Sequence, residues 1–256
     1  MNVLIVLAHP ERRSFNTHLV CAAQETLVQA GHEVRVSDLY ASGFDPCEAG
    51  RHFSVRVAPD RFDAQVEQRF HWEQRTLPAD VAREVESILW ADLLILQFPL
   101  WWFGVPAILK GWMDRCFVYG GLYSGSRRHD TGPCRGKRAL MCVTTGSSES
   151  ACSCDGREGD TRLILWPSLY ALRYLGFTVV EPTIIHGLRG GLDGSAEQVQ
   201  RCDLAARANA YQESLRHIDD MPTVPFHGAD DWDEHGKLKP EAPVYSPFIR
   251  HKGHGI

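Results

Sequence analysis

Apolar residues recur along the chain in two alternating rhythms: short unbroken runs, and runs spaced three and four apart. Val3 to Ala8 is unbroken and reads as a fully buried strand rather than a secretory leader, since no basic segment precedes it. Phe15, Leu19, Ala23, Leu27 and Ala30 then mark one face of a helix, with Ser14 or Asn16 placed to cap it and Gly31 to stop it. The segment HEVRVSDLY alternates like a strand. Residues 41 to 77 are polar, aromatic and aperiodic, a long excursion with room for one helix. Val81, Val85, Ile88 and Leu89 fall at helical spacing between Pro78 and Trp90, and ADLLILQFP reads as a central strand. Ile108, Leu109, Trp112, Met113, Cys116 and Phe117 form the next helical face, opened by Pro106. KRALMCVTTG is a strand running into a glycine turn, GDTRLILWPSLYALRYLG a helix ending near Gly176, and FTVVEPTII a last strand. Val199, Cys202, Ala206 and Ala210 mark a closing helix.

Strands alternating with helices in this way predict an α/β fold with a five-stranded, doubly wound parallel sheet and right-handed crossovers. In such sheets a ligand sits beyond the carboxyl ends of the strands, where the strand order reverses. The main domain is expected over residues 1–218. Residues 219–256 form a C-terminal extension rich in Pro, His and charge, but Phe226, Trp232, Tyr245 and Phe248 give it rings to bury.

Composition narrows the function classes. At 256 residues and 44% hydrophobic the chain can fill one substantial core, and no apolar run approaches the roughly 20 residues of a membrane span. A net charge of −5 provides no concentrated basic face for nucleic acid. The eight cysteines are dispersed through periodic segments, unlike a secreted disulfide framework, which points to reduced thiols and a cytoplasmic protein.

Three loops leave the carboxyl ends of the first, third and fourth strands, and each carries candidate chemistry. AHPERRSFN has neither a dinucleotide-binding glycine fingerprint nor a Walker loop. It offers His9, Arg12, Arg13 and the amides of Ser14, Phe15 and Asn16 at a helix start, either a phosphate cradle or a plain capped turn. QFPLWWFGVP places Pro99, Leu100, Trp101, Trp102 and Phe103 at a ligand-binding edge, where exposed aromatics suit a flat ring; packing in a core or subunit interface is the alternative. The small residues Thr144, Thr145, Gly146, Ser147 and Ser148 let backbone approach the other edge of such a ring.

LAHPERRSFN, SDLY, QFPLWWFGVPAILKGWMDR, Gly132-Pro133, TTG and ILWP, in this order, resemble the NAD(P)H:quinone oxidoreductase (DT-diaphorase) family over about residues 2 to 185. The resemblance implies a flavodoxin-like fold, a homodimer, bound FAD rather than FMN, and two-electron hydride transfer from NAD(P)H to a quinone or similar flat aromatic acceptor. It implies that Pro99 to Phe103 lie along the isoalloxazine and that Trp102 walls the pocket shared by nicotinamide and quinone. Thr144 to Ser147 then line the pyrimidine side, and His9, Ser14, Phe15 and Asn16 hold the pyrophosphate. Tyr123 matches a quinone-pocket tyrosine, and Arg201 is expected near an adenosine phosphate. The aromatic tail is expected to pack across the dimer near the mouth of the site.

The chain departs from the family at three places. Gly125 replaces a second pocket tyrosine, and Cys152 and Glu158 stand where better-known members carry a tyrosine and histidine that relay charge. At the last of these, either Glu158 is protonated inside the site or it turns outward while Arg157 supplies positive charge, the second being expected. No metal site is expected; Cys152 and Cys154 read as unconnected thiols. Competing functions are a nitro- or azoreductase, a reductase of a specialised aromatic metabolite, and a noncatalytic flavin-binding regulator.

Overall fold

A computed structural model describes residues 1–252, so the last four residues of the extension lie outside the described residues. The sheet is built from β1 (Asn2–Leu7), β2 (Glu33–Asp38), β3 (Leu93–Pro99), β4 (Arg138–Thr144), β5 (Thr178–Val179) and β6 (Thr183–Ile185). All pairings are parallel, in the order β2-β1-β3-β4-β5, with β6 also on β4. The expected last strand is therefore two short segments in one position. Pro182 lies between them and cannot donate to the ladder.

The central strands read as continuous apolar runs because both their faces are covered. On one face pack α3 (Ala79–Trp90), α4 (Ala107–Cys116) and α5 (Thr161–Tyr174), around Val85, Ile88, Leu109, Trp112, Leu165 and Leu172. On the other pack α1 (Phe15–Gln29) and α6 (Gly194–Arg216), around Leu19, Ala23, Leu27, Tyr211 and Leu215. The excursion contains a short 3-10 turn (Gly50–His52) and one α-helix, α2 (Ala64–Gln74), capped by Asp63, whose carboxylate accepts from the Val66 amide at 3.2 Å. The buried Glu67 carboxylate ties α2 to the preceding loop, accepting from Arg56 Nε at 2.8 Å and from the Val57 amide.

The closing helix is correctly placed by its spacing, but its buried face is not the expected one. Val199 is 70% exposed, and Cys202, Ala206 and Ala210 also face solvent. Ala208, Tyr211 and Leu215 are buried instead. The large Tyr211 and Leu215 side chains remove far more apolar area from water than the small residues on the opposite side, which decides the rotation of the helix.

The extension packs on its own chain. Val224 donates to the Val179 carbonyl at 2.9 Å and Glu181 to the Pro222 carbonyl at 2.8 Å, adding an antiparallel segment beside β5. Phe248 stacks on Trp166 of α5 with ring centroids 4.8 Å apart, and Phe226 meets Tyr170 edge-on at 5.7 Å. Trp232 and Tyr245 instead close on His227, whose Nε2 donates to the Pro243 carbonyl at 2.8 Å. Among the described residues, no helix is long and apolar enough to cross a membrane.

Candidate functional site

Parallel pairing of β1, β3 and β4 carries the three candidate loops to one edge of the sheet. Leu100, immediately after β3, donates its amide to the Thr144 carbonyl at 2.8 Å, which fixes the aromatic loop against the small-residue loop. Within the aromatic loop, Trp101 and Gly104 exchange backbone hydrogen bonds of 3.1 Å in both directions. The residues between them, Trp102 and Phe103, have φ of 51° and 58°. This is a two-residue hairpin of the type that normally uses Asn and Gly. Holding two bulky residues left-handed costs roughly 1–2 kcal/mol each. The hairpin projects its rings outward: Trp101 is 41%, Phe103 59% and Trp102 97% exposed.

Opposite the hairpin, Thr145 is fixed by four contacts, one of them its carbonyl accepting from the Leu188 amide at 2.9 Å. Its amide donates to the Ile185 carbonyl at 2.9 Å, and its hydroxyl donates to the Ser147 carbonyl at 3.0 Å and meets His186 Nδ1 at 2.9 Å. Because that hydroxyl has one proton, already given to Ser147, His186 Nδ1 is the donor in its contact. Burial holds the His186 pKa below the ordinary 6.5, with Glu149 pulling the other way. The Gly187 amide closes the loop onto the Ser147 carbonyl at 2.9 Å.

Between hairpin and loop lies a cleft of about 170 Å³ lined by Leu100, Trp102, Phe103, Gly146, Glu158 and Thr161, among others. That is smaller than the roughly 300–1,000 Å³ of a pocket enclosing a whole ligand. Its size suits one part of a flat molecule rather than the whole of it. Among the described residues, the amides of Trp102, Phe103, Gly146 and Ser147 have no protein acceptor, so the rim presents donors to the edge of a ring. Thr161, also lining the cleft, is 2% exposed, and its Oγ1 has no hydrogen-bond partner among the described residues. An unpartnered buried hydroxyl costs about 1–3 kcal/mol, which a bound polar group would remove. Aromatic faces, unpaired amide donors and an orphaned hydroxyl together fit a flavin ring.

The first loop stands beside this cleft. Ser14 caps α1, accepting from the Thr17 amide at 3.2 Å. The amides of Phe15 and Asn16 have no protein acceptor among the described residues and are available at the positive end of the helix. The Asn16 side chain is not a cap. It is buried, donates to Thr144 Oγ1 at 3.0 Å and accepts from Gln97 Nε2 at 2.9 Å, locking α1, β3 and β4 together beneath the three loops. The His9 ring lies 6.0 Å from that of Trp101, joining the first loop to the hairpin.

Several expected site residues are placed differently. Glu158, not Arg157, lines the cleft: Arg157 is exposed, and its Nε donates to Glu158 Oε1 at 3.0 Å. The expected outward turn of Glu158 with Arg157 facing the ring is thus reversed, because the Glu158 amide is bound to the Ala151 carbonyl at 2.9 Å, which holds its side chain on the inner wall. Cys152 also lines the cleft, whereas Cys154 is exposed. Tyr123 lies apart, in a groove between α4 and α5 with Gln65, Pro167, Tyr170 and Tyr174, and burial raises its pKa above the ordinary 10.0. Arg201 lies on the exposed side of α6, paired with Glu197 at 2.6 Å.

A family model described as a flavodoxin-like fold matches residues 1–210. The NAD(P)H dehydrogenase [quinone] 1 of Cavia porcellus is 43% identical over 187 residues, which span 72% of this chain and 68% of that protein. The ribosyldihydronicotinamide dehydrogenase [quinone] of Mus musculus is 40% identical over 232 residues, 90% of this chain and 96% of its own. A Klebsiella pneumoniae protein solved as a candidate quinone reductase superposes with a TM-score of 0.85 at 34% identity, covering 96% of this chain and 97% of that one. The chain therefore belongs to the NAD(P)H:quinone oxidoreductase family, on a flavodoxin-like fold.

Proposed function

We propose that this chain is a flavin-dependent reductase that moves two electrons from NAD(P)H to a quinone at the cleft beside the aromatic hairpin. The observation that carries the reading is the left-handed pair Trp102 and Phe103, held open to solvent across from the amides of Gly146 and Ser147. Strain of this kind persists where the surrounding fold enforces it and function uses it. When bound, the flavin supplies the redox chemistry, taking hydride from the nicotinamide and returning two electrons to the acceptor. The chain supplies position: Pro99 to Phe103 against the ring, Thr144 to Ser147 along its edge, and His9 with the α1 amides at the phosphates.

FAD rather than FMN is proposed, from the resemblance to the FAD-binding branch. For Arg201 to take part, it must leave Glu197, so the phosphate contacts fall first to Phe15 and Asn16. A homodimer is proposed because a second copy would complete the open cleft, with Tyr123, which lines a separate groove of its own chain, serving the cleft of that second copy. A cytoplasmic location is proposed from the dispersed thiols.

A second reading keeps the flavin and changes the acceptor. Glu158 gives the cleft a carboxylate where better-known family members place a histidine, favouring an aromatic acceptor with hydrogen-bond donors over an unsubstituted quinone. Turnover of NADH and NADPH with menadione, a nitroaromatic and an azo dye, on protein whose released flavin is identified by mass, tests both readings. Full flavin occupancy without turnover on any acceptor would favour a noncatalytic regulator.

A further inference from the structure

Thr161 is the first residue of α5, a helix of 14 residues, yet its side chain plays no part in capping that helix. The cap is Asp160, whose carboxylate accepts from the Arg162 amide at 2.8 Å and whose carbonyl accepts from Ile164 at 3.0 Å. A threonine inside a helix commonly bonds back to a carbonyl one turn earlier. At the first position no such helical carbonyl exists, so the Thr161 hydroxyl stays uncommitted. It is 2% exposed, its Oγ1 has no hydrogen-bond partner among the described residues, and the residue lines the same cleft as Trp102, Phe103, Gly146 and Glu158. Buried hydroxyls without partners are rare, and this one lies at the positive end of a helix inside the redox cleft.

We propose that the Thr161 hydroxyl donates a hydrogen bond to a ring carbonyl oxygen that gains negative charge during two-electron reduction, with the α5 terminus adding to its stabilisation. The proposal rests on the flavin-dependent reading above. The charged groups around the position are consistent with an oxygen acceptor. Among the described residues, Glu158 is the one carboxylate lining the cleft, and Arg157 engages its Oε1, which blunts its repulsion of a charged oxygen. The Asp160 carboxylate is committed to the Arg162 amide. When NAD(P)H reduces a quinone, hydride and one proton convert it to the hydroquinone and leave NAD(P)⁺. The held oxygen is one that takes on charge before protonation. Such a carbonyl belongs either to the flavin ring or to the acceptor, and the two sources give different signatures.

The test compares Thr161→Val, which keeps the shape and removes the hydroxyl, with Thr161→Ser, which keeps the hydroxyl. Four quantities are measured: the flavin midpoint potential, the rate of flavin reduction by NAD(P)H and kcat/KM for menadione on the holoprotein, and flavin affinity by fluorescence titration of the apoprotein. If the oxygen is the flavin's, Val lowers the potential and slows flavin reduction by about tenfold, the loss of one hydrogen bond to a charge-bearing atom. If it is the acceptor's, Val leaves the potential unchanged and lowers kcat/KM for menadione by a similar factor. In both cases Ser restores most of the loss. Wild-type values of all four quantities in Val, or equal impairment in Val and Ser, would overturn the proposal. If Val folds poorly, Thr161→Ala is compared with Ser in its place. Wild-type turnover with menadione tests the underlying reading separately, because the variant comparison is made only between proteins that differ at residue 161.

Discussion

Trp101 and Gly104 hold each other through two backbone hydrogen bonds of 3.1 Å, and the geometry of that pair forces Trp102 and Phe103 into left-handed conformations. A turn of this shape would fold more comfortably with Asn and Gly. The chain instead places two aromatic rings at the most strained positions of the loop and leaves them in solvent. The rings are maintained against both strain and exposure, the arrangement expected of a surface whose partner is a flat ligand.

Replacing Trp102 by glycine separates the two effects. Glycine adopts the turn without penalty, so the Trp102→Gly apoprotein should be more stable by about 1 kcal/mol, raising Tm by roughly 2–4 °C. Flavin reduction by NAD(P)H, by contrast, should slow by about tenfold or more. Calorimetry and stopped-flow absorbance check the pair of outcomes; a lowered Tm would show that the hairpin is stabilised by its own rings.

The Asn16 network should behave as a structural lock. Asn16→Leu leaves Gln97 Nε2 without one acceptor and Thr144 Oγ1 without its donor, in a region where Asn16 is 3% exposed. A loss of about 1–3 kcal/mol in urea unfolding is expected, together with weaker flavin retention. Asn16→Asp keeps the acceptor and, while its carboxyl is protonated, also a hydroxyl that can donate to Thr144 Oγ1, so it should fall between wild type and Leu at low pH and lose further stability once the carboxyl ionises.

Most of the fold was legible because its strands are buried on both faces and its helices carry strong apolar faces, as with Leu94 to Phe98 and with Val81, Val85 and Ile88. Legibility failed where packing overrode spacing. The small residues Val199, Cys202, Ala206 and Ala210 repeat regularly, but Tyr211 and Leu215 win the interior. The hairpin was visible as three adjacent aromatics, and Gln97 in an otherwise apolar strand was a readable sign of a buried polar network. Thr161 and His186 were missed. Each matters through a tertiary contact or the lack of one, and neither belongs to a motif that local sequence displays.

Acid should loosen the small-residue loop through His186. Burial holds its folded pKa below the ordinary 6.5. As pH falls through about 6.5 the unfolded chain takes up the proton first, so stability is unaffected above that pH and declines below it, until the folded form is protonated too. His186→Asn retains a donor near the Nδ1 position and cannot titrate. Its Tm should therefore fall less than that of wild type between pH 7 and pH 5; identical pH profiles would assign the acid sensitivity to other groups.

Truncation after Met221 removes the segment beside β5 and the Phe226 and Phe248 rings that cover Tyr170 and Trp166. Phe226 is half-buried and Phe248 is 55% exposed, so each contributes less than the roughly 1.5–3 kcal/mol of a fully buried ring, before the cost of ordering the tail. The truncated protein should show a lower Tm, and either weaker self-association by sedimentation or a higher KM for the acceptor. Unchanged Tm, sedimentation and kinetics would mark the extension as energetically idle.

The most direct test of the central claim is a single anaerobic redox cycle followed by flavin absorbance. Holoprotein is mixed with stoichiometric NADH or NADPH and then, once the signal is stable, with stoichiometric menadione. Full bleaching by at least one nicotinamide, followed by full recovery with the quinone, is the predicted result. A tightly bound flavin that neither nicotinamide bleaches, or that stays bleached after menadione is added, would contradict it.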